Sequence, residues 1–302
     1  MFGFEKKLRQ AFSETGIAGI NREIETSRQD GAASASLWEL LQRFTGAPEF
    51  LKDLERLERE IPAKGLGPVA KEFLERIGIE VVSEAPEWTR QTGAPVLFYG
   101  NHELGLEPQL LAALCARNDL SFVANHFVQN LGPGLQPHIF PVLARRYAKD
   151  SPAVLSPVEK AIMGEPTMTI EEIDKMNRDS LSGAASNISQ GGAAGIFPSP
   201  GVDVSGHWYP GLGKIASDLA LAHPDMADDI AVSPIYFEQP PVADLCEAVR
   251  TRYQERREPG KTYLNVKFGA IRSLREAARL GQTPEEITER LRSDYLEEFR
   301  LT

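Results

Sequence analysis

The most informative stretch of the chain is Pro95-Val-Leu-Phe-Tyr-Gly-Asn-His-Glu-Leu-Gly-Leu-Glu-Pro108. Val96 to Tyr99 is an apolar run of strand-forming residues, and Gly100 marks the point where that strand ends. Pro108 suits the first turn of a helix, where a missing N–H removes no hydrogen bond, and the pattern continues as a helix through Arg117. The stretch therefore predicts a strand, a short loop and a helix.

This stretch places a histidine and an acid beside the end of a strand. His102 follows the predicted strand, and Glu107 stands where the next helix begins. In open α/β sheets, ligands bind at the carboxyl ends of the strands. A carboxylate that holds one imidazole nitrogen leaves the other nitrogen to take a proton from a hydroxyl or an amine. The residues are also consistent with a turn cap at Asn101 and His102 and a solvated acid at Glu107, so this stretch alone leaves both interpretations open.

Strand-like runs separated by helical stretches recur along the rest of the chain. They are Ile79–Val82, Val96–Tyr99, Ser121–Ala124, Ile139–Leu143, Ala193–Pro198, Ile230–Phe237 and Tyr263–Phe268. This alternation predicts an α/β fold with a mixed central sheet flanked by helices. Pro234 interrupts one of the runs and indicates a sheet edge or a strand end that lines a pocket.

Helical periodicity dominates the sequence before the first strand. Helices are predicted from Ser36 to Phe44, from Pro48 to Ile61 and from Val69 to Ile77, with a break between Gly65 and Pro68. We therefore predict an N-terminal helical domain over residues 1–80, folded as a small bundle, and an α/β domain over residues 81–302. A last helix is expected from Thr283, as its N-cap, to about Arg300.

Composition narrows the possible partners. The net charge of −10 argues against non-specific binding to nucleic acid and allows at most peripheral contact with anionic membranes. Cys115 and Cys246 lie in apolar, helix-like surroundings and are expected to be buried free thiols, and no ligand spacing for a metal is present. With no signal peptide and no membrane span, we expect a soluble cytoplasmic protein, or a stromal one in a plastid-bearing organism.

Two more blocks follow predicted strands. Arg145 and Arg146 come after Ile139–Leu143. Such a pair is commonly a solvated strand end, and it is also able to clamp a phosphate on an acceptor or on the pantetheine or nucleotide part of a thioester donor. The loop after Ala193–Pro198 contains Ser199 and Gly201 and is made rigid by prolines, so its backbone N–H groups could meet a developing oxyanion. Because no G-x-S-x-G pattern surrounds Ser199, this serine is a poor candidate for an esterase nucleophile.

Taken in order, these blocks resemble those of the glycerolipid acyltransferase superfamily. That family carries Asn-His-x4-Asp, a basic block, a Phe-Pro-Glu-Gly or Pro-Ser-Gly-Gly block with arginines, and an apolar strand with proline. Here the corresponding segments are the HX4E motif His102–Glu107, Arg145-Arg146, Phe197-Pro-Ser-Pro-Gly-Val-Asp203 and the strand around Pro234. The chain is most similar to the soluble, stromal type of glycerol-3-phosphate 1-acyltransferase, which also has a helical domain before its α/β domain.

The resemblance implies acyl transfer from an acyl-carrier-protein or acyl-coenzyme A thioester, with no other cofactor and no acyl-enzyme. Glycerol-3-phosphate is the family's default acceptor. Val202 and Val204, however, stand where the family has the arginines that hold its phosphate. Two lost charge-assisted contacts would cost roughly 1.5–3 kcal/mol each, which favours an altered alcohol or amine acceptor. An acyl-thioester hydrolase and a non-catalytic acyl- or lipid-binding relative remain as alternatives.

The resulting site prediction has two parts. His102 and Glu107 are the expected catalytic pair. The candidate substrate-binding residues are Asn101, Arg145, Arg146, Ser199, Gly201 and Lys214.

Overall fold

The computed structural model describes residues 47–83, 85–102, 106–126, 128, 132–155, 166–199, 206–238, 248, 250–253, 255 and 258–301, together with helical positions 19, 22 and 26. Within these residues, eight strands form a single sheet. They are β1 (Ile79–Val81), β2 (Val96–Gly100), β3 (Leu120–Asn125), β4 (Ile139–Val142), β5 (Ala193–Ile196), β6 (Ala231–Glu238), β7 (Thr262–Phe268) and β8 (Arg272–Ser273).

The sheet is mixed and mostly parallel. Its strand order is β1-β7-β6-β2-β5-β3-β4, with β8 paired to β6. Strands β6, β2, β5, β3 and β4 run parallel to one another, whereas β7 and β8 are antiparallel to β6. The predicted α/β fold with a mixed central sheet is confirmed. Because the carboxyl ends of the five parallel strands meet at one edge, the segments that follow them lie side by side.

Helices cover both faces of the sheet. They are α1 (Ala47–Lys64), α2 (Leu66–Arg76), α3 (Glu107–Cys115), α4 (Ile170–Ser189), α5 (Gly211–Ala222), α6 (Leu274–Ala278) and α7 (Pro284–Phe299). Residues of α1, α2 and α3 share a core with Val96 and Phe98 of β2, while α4 to α7 share the opposite core with Leu97 and Tyr99. All of β2 is therefore buried, which explains its unbroken apolar sequence. None of the helices among the described residues is long and apolar enough to cross a membrane.

The N-terminal helices pack against the helix that carries Glu107. Gly67 of α2 lies so close to α3 that an added Cβ would stand 2.6 Å from the Cα of Ala116. Only Gly65 interrupts the helical pattern here, with φ of +88°, and Pro68 lies inside the first turn of α2. A proline is tolerated there because the first N–H groups of a helix have no partner within it. The predicted helix over residues 36–44 lies outside the described residues.

Pro234 is not at a sheet edge, so the first of the two predicted alternatives is wrong. Its strand, β6, lies between β2 on one side and β7 and β8 on the other. The β7 pairing begins at Ile235 and the β8 pairing ends at Val232, so Pro234 falls between the two ladders. Its carbonyl still accepts a hydrogen bond from the N–H of Gly269 at 2.9 Å. Pro234 pairs with Tyr99 of β2 on one side. On the other side it lies in the gap between the β8 and β7 ladders, where no strand residue requires its missing N–H.

Candidate active site

A buried asparagine, Asn101, directly follows β2 and continues the contact with β6 through its side chain. The Asn101 amide donates from Nδ2 to the carbonyl of Phe237 at 3.0 Å and accepts at Oδ1 from the N–H of Phe237 at 2.9 Å. Its side chain imitates the two hydrogen bonds of a strand partner, which lets the main chain turn away from the sheet. Asn101 is 0% exposed. Asn101, which was predicted to contact substrate, is thus part of the buried base of the loop.

His102 and Glu107 form the predicted pair. The Nδ1 atom of His102 lies 3.0 Å from Oε2 of Glu107. The Glu107 side chain is fully buried, whereas that of His102 is 39% exposed. Glu107 is the first residue of α3, where the partial positive charge of the helix end stabilises a carboxylate. A carboxylate in this place favours the tautomer with its proton on Nδ1 and leaves Nε2 as the nitrogen that can accept a proton.

An aromatic ring supports the imidazole from the neighbouring strand. The His102 and Phe197 rings stack with centroids 5.2 Å apart and an interplanar angle of 21°. Phe197 in turn contacts Phe122 at 6.4 Å and Phe237 at 6.1 Å between centroids. Phe197 was not among the predicted site residues. The available signal was its position directly after β5, which pairs in parallel with β2 and sets Ile196 opposite Tyr99.

The loop proposed to bind the oxyanion is only partly described. Ser199 is buried, with 4% exposure, and the preceding carbonyl of Pro198 accepts a hydrogen bond from the N–H of Tyr209 at 3.0 Å. This contact holds the beginning of the loop against the segment before α5. Gly201 lies outside the described residues, and so do Val202 and Val204.

The predicted cationic contacts have local acidic or aromatic partners. Arg145 donates from two nitrogens to the two carboxylate oxygens of Asp174 in α4, at 2.7 and 2.8 Å. Lys214 pairs with Asp218 one turn further along α5, at 2.8 Å. Arg146 is exposed and lies 5.6 Å from the centroid of the Tyr147 ring. The structure thus brings together His102, Glu107 and Asn101, while Arg145 and Lys214 pair with acids on the outer helices.

Cys115 lies at the far end of α3 from Glu107, and its thiol is buried. Cys115 is a buried free cysteine, as predicted, and burial raises the pKa of its thiol to about 12. A thiol with so high a pKa supplies almost no thiolate at neutral pH, so it is a poor nucleophile. Burial also raises the pKa of Tyr99. Cys246 lies outside the described residues.

The geometry matches that of a general base held by a buried acid. Among the residues that the structure describes, no group of three or more His, Cys, Asp or Glu side chains is arranged to hold a metal ion. His102 is half-exposed and its partner is buried, so the imidazole faces outward at the edge where parallel sheets bind ligands.

Neither the protein-family models nor the curated proteins with which the chain was compared give a match.

Proposed function

We propose that the protein is an acyltransferase that moves a fatty acyl group from a thioester donor to an alcohol or amine acceptor. The observation that carries this proposal is the 3.0 Å contact between His102 and the fully buried carboxylate of Glu107. The pair stands at the carboxyl edge of the parallel strands, where ligands bind in such sheets. The ordered resemblance of four sequence blocks to the glycerolipid acyltransferases selects acyl transfer among the reactions that a general base can serve.

In the proposed reaction, Nε2 of His102 takes the proton of the acceptor hydroxyl or amine. The acceptor atom attacks the thioester carbonyl, and the electron pair of its C=O bond moves to oxygen. When the tetrahedral intermediate collapses, the C–S bond breaks and the leaving thiolate receives the proton from the imidazolium. Glu107 stabilises the imidazolium between these steps because its carboxylate contacts Nδ1. In this proposal no acyl-enzyme forms, because no activated nucleophile accompanies the histidine.

The acceptor is proposed to differ from glycerol-3-phosphate. A phosphate would compete with Asp174 for Arg145, because two Arg145 N–H groups bind that carboxylate. Val202 and Val204 replace the arginines that the family uses for phosphate. The donor is proposed to be an acyl-carrier protein or coenzyme A thioester, which serves as co-substrate and requires no further cofactor. A cytoplasmic or stromal location is part of the same proposal.

The test is release of free thiol from acyl-coenzyme A and from acyl-carrier protein, with and without glycerol-3-phosphate and a panel of polyols and amines. His102→Ala should reduce acceptor-dependent release by about 10³-fold, within the range of general-base catalysis. His223→Ala is the matched control. That residue is a half-buried histidine at the C-terminal end of α5, so the change should leave the rate unaltered.

Each outcome distinguishes one alternative. Release that requires both His102 and glycerol-3-phosphate would retain acyl transfer and contradict the altered acceptor. Release that requires His102 and proceeds equally without any acceptor would identify a thioester hydrolase. Absence of release from both donors would contradict catalysis and favour a non-catalytic acyl-binding protein.

A further inference from the structure

Tyr295 of the last helix reaches the base of the candidate site. The residue is 0% exposed, and its ring packs against those of Trp208, Phe299 and Tyr99 with centroids 5.3, 4.8 and 6.1 Å away. The ring is therefore held firmly by aromatic neighbours on α7, on β2 and before α5. A tyrosine hydroxyl in such an apolar setting requires hydrogen-bond partners, because an unpaired buried hydroxyl is costly.

The hydroxyl finds these partners where β2 and β6 separate. It accepts a hydrogen bond from the N–H of Asn101 at 3.2 Å. It also lies 3.0 Å from the carbonyl oxygen of Ile235 and 3.1 Å from Oδ1 of Asn101, to either of which its single proton can be donated. The parallel register sets Gly100 beside Ile235 as the last pair of residues in the β2–β6 ladder. The hydroxyl thus bridges the two strands at the last step of their ladder.

This bridge fixes the residue immediately before the candidate base. Asn101 is bound at its backbone N–H by Tyr295 and at its amide by both polar backbone groups of Phe237. All of these groups are buried, so water cannot replace a lost partner. His102 starts from this fixed backbone and turns toward Glu107. The position of the imidazole therefore depends on a hydroxyl that is contributed by the last helix.

We propose that Tyr295 is a positioning residue that holds His102 in register with Glu107. This inference rests on the proposed function for its kinetic consequences, but its geometric consequence is independent of any reaction. Without the hydroxyl, the Asn101 N–H and the Ile235 carbonyl lose their shared partner, and the strand end relaxes. The imidazole then drifts from the carboxylate, and the preference for a proton on Nδ1 weakens.

The test compares Tyr295→Phe with Tyr253→Phe. Both changes remove one hydrogen-bonded tyrosine hydroxyl, but Tyr253 binds Asp53 of α1 at 2.9 Å. Long-range ¹H–¹⁵N spectra at mildly alkaline pH report which ring nitrogen carries the proton, and His102→Ala identifies the signal of His102. Wild type and Tyr253→Phe should show the Nδ1–H tautomer alone, and Tyr295→Phe should show a mixture of both tautomers.

Kinetics provide the second readout. Tyr295→Phe should lower kcat about tenfold, because displacement of the base by a fraction of an ångström weakens proton transfer from the acceptor. The KM for the thioester should stay within about twofold of the wild-type value. A variant that keeps the single tautomer and the wild-type kcat would overturn the proposal, even if it were less stable. If wild type itself shows no turnover, the proposed function fails and the tautomer comparison still decides the role of Tyr295.

A second variant covers the case in which Tyr295→Phe does not fold. Asn101→Ser shortens the side chain so that it no longer reaches both polar backbone groups of Phe237, and it adds no charge to this buried site. It disturbs the same strand end from the opposite side, so it should also give a mixture of tautomers. A pure Nδ1–H signal in this variant would show that the base of the loop does not position the imidazole.

Discussion

The amino ends and the carboxyl ends of the parallel strands each contain a buried charged side chain, Arg117 and Glu107. The Arg117 side chain is 0% exposed and donates to both oxygens of Asp119, at 2.8 and 2.6 Å. It also donates to the carbonyls of Ala94 and Gly191, at 2.7 and 3.0 Å. These residues precede β3, β2 and β5, so one guanidinium ties together the amino ends of three strands whose other ends carry the candidate site.

The two edges differ in what remains for a ligand. At the amino edge, four hydrogen bonds from Arg117 end on groups of the protein itself. At the carboxyl edge, Glu107 engages one ring nitrogen of His102, and the imidazole is 39% exposed. The first arrangement neutralises a charge and holds strands in place. The second presents a side chain that can gain and lose a proton. We therefore assign a structural role to the amino edge and the candidate site to the carboxyl edge.

The largest expected effect concerns stability at the amino edge. Arg117→Met should lower the free energy of unfolding by about 3–5 kcal/mol, because it leaves the partners of a buried charge unsatisfied. Arg145→Met is the matched control, since Arg145 binds Asp174 with the same two-pronged geometry but is 70% exposed. Its cost should be below about 1 kcal/mol. Urea denaturation followed by circular dichroism measures both, and equal losses would contradict the contrast.

The next effect concerns activity at the carboxyl edge. Glu107→Gln keeps a hydrogen-bond acceptor near Nδ1 of His102 but removes the charge that stabilises the imidazolium. Acceptor-dependent thiol release should fall about a hundredfold, and the free energy of unfolding should stay within about 1 kcal/mol of wild type. Glu285→Gln provides the control, because Glu285 is an exposed acid in the first turn of α7. Equal rates of thiol release for the two variants would show that Glu107 has no part in the proposed reaction.

The smallest expected effect is a pH dependence at the amino edge. Burial alone would raise the pKa of the Asp119 carboxyl, but the hydrogen bond and charge of Arg117 lower that pKa below the ordinary 3.8. The folded state therefore gains stability from this carboxylate above pH 4 or so, and loses it as pH falls through the lowered pKa. Asp119→Asn should cost about 2 kcal/mol at pH 7.

The difference between Asp119→Asn and wild type should shrink as the wild-type carboxyl becomes protonated. Denaturation midpoints measured from pH 7 down to pH 2 would follow this convergence. A difference that stays constant across the acid range would show that the charge of Asp119 contributes nothing to the stability of the amino edge.

The strands and the pairing of His102 with Glu107 could be predicted from the sequence because their signals are local. The buried parallel strand Val96–Gly100 appears as an unbroken apolar run, and His102 and Glu107 are separated by only five positions. The end of α3 was less accurate, since the predicted helix extended to Arg117 while Ala116 adopts a left-handed conformation with φ of +51°. An alanine there gives no sequence signal for a helix end.

The supporting residues were missed because their roles depend on contacts between distant segments. Phe197 becomes a neighbour of His102 only through the parallel pairing of β5 with β2. The role of Arg117 depends on its hydrogen bond to the carbonyl of Gly191, which is 74 positions away in the sequence. For Pro234 the sequence indicated a sheet edge or a strand end that lines a pocket, because prolines in strands usually lie in such places. The change of partner from β8 to β7 explains its interior position.

The hydrogen bond between Asn101 and Tyr295 has a consequence for the order of events during synthesis. The two residues are 194 positions apart, so β2 leaves the ribosome long before its hydroxyl partner exists. At about 5–20 residues per second, the interval is roughly 10–40 s. Through that time the N–H of Asn101 lacks its hydroxyl partner. The candidate base therefore acquires its final orientation late, when α7 docks.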